Sequence, residues 1–222
     1  MKLQTVLFDL DGVITDTAEY HYLAWKRMAD QIGIEIDRDF NERLKGIGRM
    51  ESLERILVHG KKAEEFTSEQ REQLAKSKND HYVSLLIHLT PEHTYPGIKE
   101  LLDQLREHEI PAVLASASKN APQILASLQL ADKFQYIVSP DGIPGKPAPD
   151  IFLKGAEAVG ADPSYCIGIE DAQAGIEAIK AAGMYAVGIG EHDLLQSAGA
   201  NIVYNRTSQL NLSSLLEAAL ME

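Results

Sequence analysis

Thr5-Val6-Leu7-Phe8-Asp9-Leu10-Asp11-Gly12-Val13-Ile14-Thr15-Asp16-Thr17 is the stretch from which the rest of the chain is read. Residues 5–8 have the length and the β-branched and aromatic content of a buried strand. The run ends in a carboxylate, then Leu10, then a second carboxylate, then a glycine. Residues two apart on an extended segment point to the same side, so Asp9 and Asp11 share one face at the strand's end. Two like charges held that close are unfavourable unless a cation or a shared proton relieves them. Gly12 lets the chain turn out of the strand where another residue would be strained. A strand followed by an Asp-Gly turn also occurs without any catalytic role. Three later features separate the two readings: Ser116 after a second apolar run, Lys146 in a Pro-rich loop, and Glu170-Asp171 after a third.

Beyond the acidic turn the pattern becomes helical. Tyr20, Ala24, Met28 and Ile32 recur every four residues, with Gly33 as the stop. Phe40 and Leu44, then Leu53, Ile56 and Leu57, suggest two more short helices. Ser68 opens a longer one carrying Leu74, Lys78, Tyr82, Leu85, Leu86 and Leu89 along one side. No strand-like run appears between Asp16 and Pro91, which marks 17–90 as an all-helical insert and 1–16 with 91–222 as the core domain.

From Tyr95-Pro96-Gly97 helix and strand alternate. Ile98, Leu101, Leu102 and Leu105 form a helical stripe, and Ile110 to Ala115 a strand ending in Ser116-Ala117-Ser118-Lys119-Asn120. Pro122 suits the first turn of the next helix. Tyr136-Ile137-Val138 is a short strand leading into Ser139 to Pro149, a stretch that no helix or central strand accommodates. Ile151 to Val159 and Gly175 to Ala182 read as helices. Cys166 to Ile169, Ala186 to Ile189 and Ile202 to Tyr204 read as strands. The fold class is therefore α/β, a doubly wound, Rossmann-like parallel sheet with an inserted helical cap. In such sheets ligands bind beyond the carboxyl ends of the strands, where all four polar clusters fall.

The net charge of -12, from 21 basic and 33 acidic residues, argues against nucleic-acid or membrane partners, which need a basic surface. An anionic substrate then needs a local positive site or a metal ion. The one cysteine, Cys166, lies in an apolar run and reads as core packing. There is no apolar stretch of transmembrane length. Met1 to Gln4 leads directly into the first strand and leaves no room for a signal peptide. A reducing cytoplasm is the expected compartment, and a monomer the expected state.

Asp9, Asp11, Glu170 and Asp171 offer up to four carboxylates around one point. Oxygen-only ligands suit a hard divalent cation, and Mg²⁺ is the expected choice where phosphate is handled. Lys146 adds a positive charge, and Ser116 a hydroxyl with nearby backbone N–H groups. Phosphoryl transfer depends largely on positioning and charge stabilisation, which these residue types supply. One carboxylate would act as nucleophile and another as general acid/base.

The order Asp-Leu-Asp-Gly, Ser, Lys, Glu-Asp resembles the haloacid dehalogenase superfamily, in its phosphotransferase branch with a helical cap after the first strand. The match covers essentially the whole chain. DLDGVITDTAEYHYLAW (9–25), Leu44-Lys45-Gly46, Arg49, Lys78-Asn79-Asp80, ASASKN (115–120) and KPAPDIF (146–152) are similar to the sugar-phosphate mutases of that branch. The resemblance implies that Asp9 becomes an aspartyl phosphate and that Asp11 is the acid/base. It implies Mg²⁺ held by Asp9, the Asp11 backbone carbonyl, Glu170 and Asp171. Ser116, Ala117 and Lys146 would hold the transferring phosphate. Arg49, Ser118 and Asn120 would take the distal phosphate, with Lys119 adjoining and Lys45 and Gly46 among the substrate-binding positions. His21 and Lys76 match cap positions that set Asp11, and Thr17 lies at the hinge. The implied cycle runs from β-glucose 1-phosphate through β-glucose 1,6-bisphosphate to glucose 6-phosphate.

Two departures stand out. Gly48 occupies the position of a small hydroxyl residue, and the loop from Ser139 to Lys146 is about one residue short and carries Pro144. The Lys146-Pro147 bond is open to either isomer. A sugar-phosphate phosphatase shares the core chemistry but lets water take the phosphate. A non-catalytic sugar-phosphate-binding protein would keep the fold and lose part of the carboxylate set. The complete core set and the cap matches favour the mutase.

Overall fold

Strand β1, Thr5–Phe8, is buried along its whole length because it is paired on both edges. The computed structural model describes residues 3–44 and 47–219. In it β2 (Ala112–Leu114) and β3 (Tyr136–Ile137) continue the sheet on one side of β1, and β4 (Cys166–Glu170), β5 (Tyr185–Ile189) and β6 (Ile202–Tyr204) on the other. Every pairing is parallel, in the order β3-β2-β1-β4-β5-β6. The direction of winding reverses between β1 and β4, and the crevice of a doubly wound sheet opens at such a reversal. Phe8 is level with Leu114 on one side and Ile169 on the other, so the strand ends that follow lie side by side.

Helices cover the sheet where the sequence places apolar stripes. Ile98–Glu107 buries Ile98, Leu101, Leu102 and Leu105. Between them, Leu7, Val113, Phe152, Ile176 and Ile179 build one side of the core, each side chain contributing about 1.5–3 kcal/mol on full burial. Two corrections follow, one of length and one of omission. The second strand spans 112–114 rather than 110–115, since Pro111 has no N–H for the ladder and serves only as acceptor, from Val6 N at 3.1 Å and Thr5 Oγ1 at 2.7 Å. Helices at His192–Ser197 and Leu212–Ala219 were not foreseen, because six and eight residues carry too little periodicity to read.

The chain divides into two compact units, Met1–Asp16 with Thr90–Glu222, and Thr17–Leu89. Among the described residues the second holds helices and no strand: α1 (Ala18–Gln31), α2 (Arg38–Glu42), α3 (Arg49–His59) and α4 (Ser68–Leu85). Gly33, at φ +69°, follows the end of α1. The Asp37 carboxylate caps α2 by accepting from Phe40 N at 2.7 Å, and Thr67 with Gln70 forms a capping box on α4. Trp25, Met28, Phe40, Leu53, Ile56, Leu57 and Ala75 make a separate core for this unit.

Candidate active site

The sheet delivers Asp9 by its two flanking ladders: Asp9 N donates to Ile169 O at 3.0 Å, and Ala115 N donates to Phe8 O at 2.8 Å. Its carboxylate is buried, and so is Glu170 at the end of β4. Lys146 reaches both from the Pro-rich loop, its ammonium donating to Asp9 Oδ1 at 2.5 Å and Glu170 Oε2 at 2.7 Å. The Lys146-Pro147 peptide is cis. Burial pushes the Asp9 carboxyl up to about 7, Glu170 adds to the rise, and Lys146 opposes it. Burial also disfavours the Lys146 ammonium, but the charges and hydrogen bonds of Asp9 and Glu170 outweigh that and hold it above the usual lysine value.

Two glycines make room for this arrangement. Gly12 has φ +81°, and a Cβ there would lie 2.0 Å from Asp171 Oδ2. A Cβ on Gly175, in the first turn of helix Gln173–Ala181, would lie 2.0 Å from Glu170 Oε2. The other Glu170 oxygen, Oε1, accepts from Asp171 N and Ala172 N, each at 3.2 Å.

Asp9, Glu170 and Asp171 bring carboxylate oxygens within 4.8 Å of one another, a group that could hold a metal ion. All the donors are oxygen, and Lys146 pairs with only two of the three carboxylates, so a hard divalent cation would offset the charge that Lys146 leaves. Ligands about 2.0–2.1 Å from an octahedral ion lie about 4 Å apart across it, which this spacing accommodates. The Asp11 side chain is not a member of that trio. Asp11 sits in the turn after β1, bridged to Thr15.

Ser116 is buried at the end of β2, where its Oγ accepts from Ser118 N at 3.1 Å. Ser118 Oγ in turn accepts from Asn120 N at 3.3 Å, and Asn120 is the N-cap of helix Ala121–Ser127. Ala117 between them is half-buried. Lys119 is exposed and ion-paired with Asp141.

In the helical unit Lys78 Nζ donates to His21 Nδ1 at 2.9 Å, so the imidazole accepts there and carries its proton on Nε2. Burial, with the charges of Lys78 and Arg49, holds His21 well below the ordinary imidazole value. The same ammonium lies 4.5 Å from the Trp25 ring centroid and 4.8 Å from that of Tyr82. Tyr82 donates to Thr17 Oγ1 at 3.0 Å, and Arg49 donates to Asn79 Oδ1 at 2.7 Å. Lys76, expected at this cluster, is elsewhere: its side chain is 76% exposed and paired with Asp80. Two helical positions differ by about 200°, so Lys76 and Lys78 face nearly opposite ways. Lys78, on the 74-78-82 stripe that reads as inward, is the lysine that the fold sets against His21. Lys45 and Gly46 lie outside the described residues.

A buried carboxylate, an ammonium paired to it, a carboxylate trio that could hold a metal ion and a serine turn at adjacent strand ends are the residue types that phosphoryl transfer through an aspartate uses. The chain belongs to the haloacid dehalogenase-like hydrolase family, whose model matches residues 3–183. It is 51% identical over 216 residues to the β-phosphoglucomutase of Bacillus subtilis (strain 168), covering 97% of this chain and 95% of that one. The crystal structure of β-phosphoglucomutase from Clostridium difficile superposes with a TM-score of 0.96 at 45% identity, over 100% of this chain and 98% of the other. A phosphorylated carbohydrates phosphatase of Thermotoga maritima is 28% identical over 185 residues, 82% of each chain.

Proposed function

We propose that the chain catalyses the β-phosphoglucomutase reaction, interconverting β-D-glucose 1-phosphate and D-glucose 6-phosphate through a phosphorylated Asp9 and β-glucose 1,6-bisphosphate. It is an enzyme of the isomerase class. The observation that carries this is the 51% identity to a curated β-phosphoglucomutase over 97% of the chain, the helical unit included.

Asp9 is the nucleophile, held rigidly between two ladders. In each transfer the bond from phosphorus to one oxygen breaks as the bond to the other forms. Asp11 protonates the departing sugar oxygen and takes the proton from the incoming hydroxyl. Lys146 pairs with Asp9 and Glu170 at rest and, with Ser116 and the Ala117 backbone, holds the transferring phosphate. Ser118 and Asn120, and separately Arg49 of the helical unit, are assigned to the non-reacting phosphate. Asp9, Glu170, Asp171 and the Asp11 carbonyl would hold Mg²⁺, which would supply further charge neutralisation there. His21 with Lys78 is the polar cluster of the helical unit, which serves as the cap over 17–90. Among the described residues no helix is long and apolar enough to cross a membrane. We assign the enzyme to the cytoplasm, as a monomer acting on small phosphosugars.

The decisive experiment supplies β-glucose 1-phosphate, Mg²⁺ and a trace of the bisphosphate, and measures glucose 6-phosphate against free phosphate. Glucose 6-phosphate should dominate. Mostly free phosphate would reject the mutase in favour of a phosphatase, and neither product would point to a binding protein.

A further inference from the structure

We infer that Thr15 is a positioning residue for Asp11, its hydroxyl fixing the turn that carries the acid/base to the segment on which the chain returns to the sheet unit. The turn is closed on itself: Ile14 N and Thr15 N donate to Leu10 O at 2.8 and 3.2 Å, and Gly12 N donates to Thr15 O at 2.8 Å. Asp11 lies inside that ring, bridged to Thr15. Two bonds fasten the far side of the ring. Tyr95 N donates to Ile14 O at 2.9 Å, and Thr15 Oγ1 donates to His93 O at 2.7 Å, beside a Thr15–Thr94 bridge. Thr15 is completely buried, where valine would fill the same space without needing a partner. The hydroxyl therefore serves the bond rather than the packing.

Displacement of a reacting group by about 1 Å can cost about a hundredfold in rate, so a loosened turn should be felt at the proton transfer first. The role of Thr15 rests on the assignment of Asp11 above. The transfer concerned breaks the bond from Asp9 to phosphorus, forms one to the sugar hydroxyl oxygen, and passes that hydroxyl's proton to Asp11. Phosphorylation of Asp9 by acetyl phosphate needs no such proton, since acetate leaves as the anion.

Thr15→Val should lower kcat for mutase turnover at least tenfold, leave KM for β-glucose 1-phosphate within twofold, and leave the rate of Asp9 phosphorylation by acetyl phosphate within twofold. Thr15→Ser, which keeps the hydroxyl, should stay within threefold of the unaltered enzyme throughout. A normal kcat in Thr15→Val, or equal loss with both phosphoryl donors, overturns the assignment. Asp11→Asn separates the two claims: undiminished transfer to sugar in that variant removes Asp11 as acid/base and Thr15 with it. A slow Asp11→Asn beside a normal Thr15→Val removes Thr15 alone. Should Thr15→Val not fold, amide exchange in the unaltered protein decides. Gly12 and Tyr95 N–H should both be protected, and exchange of either at the rate of an open loop overturns the clasp.

Discussion

Lys146 Nζ stands between two buried carboxylates, and its charge is what allows both to be there. The raised Asp9 value has a thermodynamic sign. The folded chain keeps a proton up to about pH 7 that the unfolded chain gives up near 3.8. The stabilisation is complete below 3.8 and is lost as pH rises to about 7, at no more than about 1.4 kcal/mol per pH unit for one proton. Urea unfolding in metal-free buffer should therefore show this loss between pH 4.5 and 7.5, and Asp9→Asn should lack it while abolishing turnover. An identical slope in the variant would place the proton elsewhere. Lys78 and Lys76 offer a sharper contrast on one helix. Lys78→Met should lower kcat/KM at least tenfold, and Lys76→Met should leave it within twofold; the reverse result would assign the role to Lys76.

Helix α3 is capped at its N-terminus by Gly48, whose φ of -62° and ψ of 151° need no glycine, and a Cβ there meets nothing within 4 Å. Glu51 stands at N3, so Gly48→Ser would complete a capping box and add a few tenths of a kcal/mol, about 0.3–0.5, read as a small rise in Tm. A fall in Tm would mean that the backbone at 48 is not free to take a side chain. The elements that carry the site were legible because each apolar run stops at a polar residue: Phe8 at Asp9, Ala115 at Ser116, Ile169 at Glu170. What could not be read was which cation faces which carboxylate. Lys146 arrives from a loop whose path depends on several prolines, and spacing along the chain says nothing of that path. Within α4 the stripe through Leu74, Lys78 and Tyr82 is visible in the sequence, yet nothing in composition distinguishes the buried Lys78 from the exposed Lys76, because lysine is rarely buried.

At the scale of the molecule, a net charge of -12 is carried alongside a site that must admit phosphate, so the balance has to be set locally. Mg²⁺ binding to the carboxylate trio should stabilise the folded chain by about 2.7 kcal/mol at one hundred times its dissociation constant. Thermal unfolding with and without EDTA would show this, and Asp171→Asn should greatly weaken it. An equal shift in that variant would put the ion somewhere else. Doubly wound topology was readable as a whole from the alternation of apolar runs with helical stripes, whereas the strand order β3-β2-β1-β4-β5-β6 is set by long-range pairing that no run of residues spells out.

Asp9 follows directly on a strand laced along both edges, and its own N–H is tied to Ile169 O. Held there, Asp9 as the proposed nucleophile cannot swing out to meet a second phosphate. In a cycle that uses the same aspartate twice, the bisphosphate itself must do the travelling, turning end for end before the second transfer.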